Sequence, residues 1–286
     1  MKPTTIAVGT AAAAAAAAIA YLWWRRTRAD LDLCCPPDGL PPLKALSPAE
    51  APAAGEVKDM GGLQVYVIGD EAKARRAIVV ATDIWGFEAG RHRQVCDLLA
   101  KRLEAVVYLP DFFHGTPCSP EKPPGTPAFG EWVKQYRPDT VSSDLQKVLM
   151  RIRPSVRIGC VGFCWGSFAS ILAQSGEREV HAAALVHPSH RKMLEKVHGA
   201  SEGQADALIA YAKGATLMLA AGNDDERCKP GGKDEEILRQ RGPVRFVEFG
   251  EMSHGWVIKG DIAEPAVARD VQRAVGMIGD WFEEHL

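Results

Sequence analysis

From residue 63 onward, apolar runs of strand length alternate with segments of helical periodicity. Residues 63–68 alternate apolar and polar, as a half-buried strand does, while 77–81 and 105–109 are apolar throughout, as strands buried on both faces are. Between these last two, Val95, Leu98, Leu99 and Leu103 fall on one helical face. Further buried runs are expected at 156–163, 182–186, 216–221 and 244–249, with helical patterns at 140–153, 168–174, 233–241 and 265–282. Strands that alternate with helices build βαβ units, so the fold class is α/β, a mostly parallel sheet with helices on both faces. No internal repeat interrupts the pattern.

The first 55 residues do not share it. Residues 6–24 form a 19-residue run without a charge, mostly alanine, that ends in Tyr21, Trp23 and Trp24 and is followed by Arg25, Arg26 and Arg28. That length spans a hydrocarbon core as a helix, although alanine contributes little insertion energy. Three readings fit residues 1–30: a membrane anchor with the arginines and the C-terminal bulk on the cytosolic side, a cleaved targeting segment that leaves the protein imported or secreted, or an Ala-rich helix in water. Residues 31–55 carry Pro36, Pro37, Pro41, Pro42, Pro48 and Pro52 and read as an extended linker. The folded domain is expected at 56–286.

Composition narrows the function. Thirty-four basic against 36 acidic residues leave a formal net charge of −2, which excludes a global basic field for nucleic acid. Seven cysteines, only two of them adjacent, do not form a disulfide framework, and neither a C-x-x-C pair nor H-E-x-x-H marks a zinc site.

The chemistry concentrates at Val161-Gly162-Phe163-Cys164-Trp165-Gly166-Ser167, where a buried strand runs through Gly-x-Cys-x-Gly into a helix. This spacing is a nucleophile elbow with cysteine at its apex, and small residues two positions to either side let the backbones approach. The helix N-terminus favours the thiolate, and the Trp165 N–H can donate to an oxyanion. In this architecture an acid and then a histidine follow the nucleophile along the chain. The strand ending in Gly222-Asn223-Asp224-Asp225 offers the acid, with Asp224 favoured over Asp225, and the loop Ser253-His254-Gly255 offers the histidine. His187, also just after a strand, is a weaker candidate for the histidine and can line the pocket, whereas His92, His181, His190, His198 and His285 read as ordinary surface or helix residues.

With Thr82-Asp83-Ile84-Trp85-Gly86 after an early strand, Pro110-Asp111-Phe112-Phe113 and Ser253-His254-Gly255-Trp256 added to the Cys164 elbow, the sequence resembles the dienelactone hydrolase family of α/β-hydrolases over about residues 56–286. The resemblance implies a Cys164–His254–Asp224 triad, the Ile84 N–H as second oxyanion donor beside Trp165, an acid at Asp83 next to the thiol, and no cofactor or metal. Family members commonly carry Glu at that acid position and basic residues that grip a substrate carboxylate. Here the acid is the shorter Asp83, His114-Gly115 follows Pro110-Asp111-Phe112-Phe113 without an arginine, and Lys259 is the cation near the triad histidine, departures closer to the eukaryotic branch. Trp85, Phe113, His187, Trp256 and Lys259 are expected to line the substrate pocket. The expected activity is hydrolysis of lactones or small carboxylic esters; thioester or peptide-type hydrolysis on the same triad, or a catalytically silent binding protein, are the alternatives. Expected partners are a small-molecule substrate and, through residues 6–24, a membrane, but no nucleic acid; the chain is expected to be a monomer or weak dimer.

Overall fold

In a computed structural model of the chain, residues 54–286 are described. The anchor or targeting segment and nearly all of the Pro-rich linker lie outside the described residues. The strands are β1 (Glu56–Asp59), β2 (Gln64–Ile68), β3 (Arg76–Ala81), β4 (Val106–Pro110), β5 (Arg157–Phe163), β6 (Ala182–Val186), β7 (Ala215–Ala221) and β8 (Val244–Phe249). They form one eight-stranded sheet in the order β1-β2-β4-β3-β5-β6-β7-β8. The first two pairings, β1 with β2 and β2 with β4, are antiparallel; from β4 to β8 every pairing is parallel.

Strand β3 shows why its run is apolar throughout. Ala77, Val79 and Ala81 enter one core cluster and Ile78 and Val80 the other, so the period-2 alternation points apolar side chains into both faces. Helices α1 (His92–Leu103) and α9 (Pro265–His285) cover the face of Ile78 with Val95, Leu99, Ile278 and Phe282. The opposite face is covered by α2 (Pro127–Val133), α3 (Pro138–Leu149) and α4 (Gly166–Ser175), through Trp132, Leu145 and Phe168 among others.

Three expectations need correction. Leu98 is 55% exposed, because the buried stripe of α1 runs through His92, Val95, Cys96, Leu99, Ala100 and Leu103 and a residue one step before Leu99 lies about 100° off it. The run at 244–249 is not buried: β8 is the outer strand of the sheet, and most of its residues are partly or fully exposed. The helix expected at 140–153 starts earlier, with Pro138 in its first turn, and ends at Leu149. The helix expected at 233–241 is α7 (Lys233–Arg239); short elements that the pattern did not suggest are β1, α2, α5 (His190–Lys192, continued as a π turn to Val197), α6 (Glu202–Ile209) and α8 (Trp256–Lys259). Among the described residues no helix is long and apolar enough to cross a membrane.

Candidate active site

The turn from β5 into α4 is as tight as the glycine spacing requires. A Cβ on Gly162 would lie 2.3 Å from the Gly166 carbonyl oxygen, and one on Gly166 would lie 2.2 Å from that of Ala81. Cys164 sits between them at φ 54°, left-handed backbone that a side-chain-bearing residue adopts only at a cost. The strained turn is held from β6 and the loop after it. The Cys164 N–H donates to the Val186 carbonyl at 3.0 Å, and the Ser189 N–H donates to the Cys164 carbonyl at 3.1 Å. The thiol is fully buried, with its Sγ 3.5 Å from the Ser189 hydroxyl.

Asp224 and His254 come from the ends of the two strands beyond β6. Asp224 Oδ1 accepts from His254 Nδ1 at 2.5 Å, and its Oδ2 accepts from the Ala221 N–H at 2.7 Å. Asn223 fixes the histidine's backbone by accepting the His254 N–H at 2.7 Å. Asp225 instead pairs with Arg227 at 2.7 Å, so it is Asp224 that faces the imidazole. Burial alone would lower the His254 pKa, but the negative charges of Cys164 and Asp224 outweigh it and hold the ring well above the usual histidine range. Besides Asp224, the Cys164 thiol is the hydrogen-bonding neighbour of the His254 ring.

On the opposite flank of Cys164, Asp83 follows β3 and is fully buried. Its Oδ1 accepts the Trp85 N–H at 3.0 Å, its own N–H donates to His92 Nε2 at 3.2 Å, and its Oδ2 lies 3.6 Å from Lys259 Nζ. Lys259 is therefore a buried partner of Asp83, 5.9 Å from the Trp85 ring, rather than a cation at an open mouth. Phe113, expected in the pocket, is packed among Trp132, Tyr136 and Trp165 with ring centroids 5.2, 4.8 and 4.8 Å away. Trp256 and His187 do border the histidine: the His187 ring lies 5.1 Å from that of His254 and 5.4 Å from that of Trp256. Ile84 and Trp165 are fully buried, and no acceptor among the described residues takes the backbone N–H of either.

The dienelactone hydrolase family model matches residues 63–286. The chain belongs to the dienelactone hydrolase family. It is 34% identical over 153 residues to a maize protein named endo-1,3;1,4-beta-D-glucanase, covering 52% of this chain and 47% of the maize protein. Against the human carboxymethylenebutenolidase homolog it is 27% identical over 235 residues, covering 78% of this chain and 88% of that one. The chain thus spans about half the length of the first relative and most of the second. A crystal structure of a dienelactone hydrolase from Anabaena variabilis shares the fold at a TM-score of 0.53 and 17% identity, covering 81% of this chain and 97% of that one.

Within this family member, two residues expected to be ordinary prove buried. His92 accepts from Asp83, so its Nδ1 carries the proton donated to the Ala89 carbonyl at 2.8 Å. His190 bonds Asp234 at 2.7 Å, in a cluster with Cys228 that is the one group of metal-ligand type among the described residues. The Arg191 guanidinium already neutralises that Asp234 at 2.5 Å, so a cation there would meet a resident positive charge. Ser189 and Asn223, which hold the elbow and the His254 loop, were unmarked as site residues in the sequence because their partners lie 25 and 31 residues away.

Proposed function

We propose that the protein is a cysteine-dependent hydrolase of lactones and small carboxylic esters, working through Cys164, His254 and Asp224. The observation that carries the reading is the 2.5 Å Asp224–His254 contact behind a thiol held at the apex of a strained elbow. Asp224 fixes the imidazole with its proton on Nδ1, leaving Nε2 to act on Cys164. The thiolate adds to the carbonyl carbon, the oxyanion is met by the Ile84 and Trp165 N–H groups, and His254 gives its proton to the departing alcohol. An acyl-thioester remains on Cys164. Water then attacks it with His254 as base, and the thiolate leaves. For a lactone, the alcohol stays attached and the product is a hydroxy acid.

Buried polar atoms without protein partners support a site that receives a ligand: Trp85 Nε1, Asn223 Nδ2 and Trp256 Nε1. The tie between Lys259 and Asp83 leaves that cation already neutralised, which favours neutral lactones at least as much as dicarboxylate ones. The glucanase name of the maize relative does not suit this centre. Glycoside hydrolysis uses two carboxyl groups across the bond, whereas Asp224 is engaged by His254 and Asp83 by Lys259.

The test is Cys164→Ala assayed on an activated ester. Turnover should fall by about a thousandfold or more with circular dichroism unchanged, since removing a triad member costs several orders of magnitude. Retention of more than about a tenth of the activity would remove Cys164 from the nucleophile role.

A further inference from the structure

His187 is the least satisfied side chain beside the centre. It is fully buried, and neither Nδ1 nor Nε2 has a hydrogen-bond partner. A buried imidazole with both nitrogens unpaired is costly, so something other than protein is expected to satisfy them. Its backbone is unusual as well: φ is 38°, and its N–H is committed to the Leu219 carbonyl at 2.7 Å. The chain holds this residue in a strained conformation at the end of β6, where the ring packs edge-on to His254 and Trp256.

The strand order says which side of the thiol it serves. Cys164 ends β5; Ile84, a candidate oxyanion donor, follows β3 on one side, while His187 follows β6 on the other, toward Asp224 after β7 and His254 after β8. A water that attacks the acyl-thioester must approach from the side of its base. The groups around His187 favour its neutral form: burial, then the charge on His254, with Lys259 adding to both, against the opposing pull of Cys164. A neutral ring offers one donor and one acceptor and does not take the water's proton away from His254.

We propose that His187 positions the hydrolytic water for deacylation, a role that rests on the triad reading above. The water donates one hydrogen to His254 Nε2 and the other to the unprotonated nitrogen of His187. Its oxygen adds to the thioester carbonyl, His254 takes the first proton, the C–S bond breaks, Cys164 leaves as thiolate, and the acid departs with the second proton. Acylation needs no water, so His187 acts on only one half of the cycle.

The experiment is stopped-flow hydrolysis of p-nitrophenyl acetate by the full chain, with intact-mass analysis, for wild type, His187→Phe and His187→Gln. His187→Phe keeps a ring and removes both nitrogens; it should show a burst near one p-nitrophenol per site, a steady-state rate at least about tenfold lower, and an acetyl adduct on Cys164. Hydroxylamine, a nucleophile that attacks thioesters without help from a base, should restore its turnover. His187→Gln, which keeps a hydrogen-bonding amide, should deacylate at an intermediate rate with acylation unchanged, and it decides the matter alone if the Phe variant does not fold. Equal slowing of acylation and deacylation, or an unchanged steady state, would overturn the role of His187. Absence of any Cys164 adduct together with an active Cys164→Ala would overturn the triad reading itself.

Discussion

Asp224 and Asp225 are adjacent carboxylates held by different partners, and this difference predicts different costs. Asp224 commits one oxygen to His254 and the other to the Ala221 N–H at the end of β7, while Asp225 is tied to Arg227. Asp224→Asn should lower turnover of an activated ester by about a thousandfold or more, because an amide cannot orient and stabilise the charged imidazole as a carboxylate does. Asp225→Asn should stay within a few-fold of wild type; the reverse ranking would exchange their roles. His254 allows a second check. Its pKa stands above the ordinary range because the charges of Cys164 and Asp224 outweigh burial, so Cys164→Ala, which removes one negative charge, should lower the pKa read from the imidazole NMR titration. An unchanged or higher value would show that the thiol is not the source. At this scale the sequence was legible where a residue type is fixed by local geometry: Cys164 between its glycines, with an acid and then a histidine after later strands. It was illegible for His92 and Ser189, whose importance lies in contacts that exist only once distant strands are aligned.

Among elements, the β5–α4 elbow leaves little room for change. A methyl on Gly162 would press on the Gly166 carbonyl at 2.3 Å, and because the obstacle is backbone it cannot rotate away. Gly162→Ala should therefore cost about 1–3 kcal/mol, lowering Tm by several degrees, and should reduce activity more than an equally destabilising change elsewhere, since relief of the clash moves Cys164. A Tm and a rate both near wild type would show that the turn is looser than these distances imply. The strands β3 to β7 could be read from the chain because, apart from Arg76 and Arg157 at the starts of β3 and β5, they are buried on both faces and mostly apolar. The short elements could not. Helix α8 has four residues, too few to show a period, and is pinned by Arg91 donating to the carbonyls of Trp256 and Val257 at 3.1 and 3.3 Å. Helix α6 did carry a signal, the Ser201-x-x-Gln204 capping box, with Ser201 Oγ accepting the Gln204 N–H at 3.3 Å and Gln204 accepting the Ser201 N–H at 2.8 Å.

For the whole molecule, the sheet order brings the ends of β3, β5, β6, β7 and β8 along one edge, so every proposed site residue follows a strand end or a loop beyond Asp83. In the sequence the proposed site residues all come after the first 53 residues, and the N-terminal edge of the described domain is tied down by the Gly55 N–H donating to the Tyr66 hydroxyl at 2.8 Å. We expect residues 6–24 to act as a membrane anchor with Arg25, Arg26 and Arg28 on the cytosolic side. The full-length protein should then sediment with membranes and resist high-salt extraction, because a spanning helix is held by apolar burial that salt does not screen. A chain beginning at Glu56 should remain in the supernatant with unchanged ester turnover. Protease added outside intact organelles should digest the hydrolase domain if it faces the cytosol. Recovery of a mature N-terminus just after the alanine run, with the protein free inside a protected lumen, would show instead that the segment is an address removed on delivery.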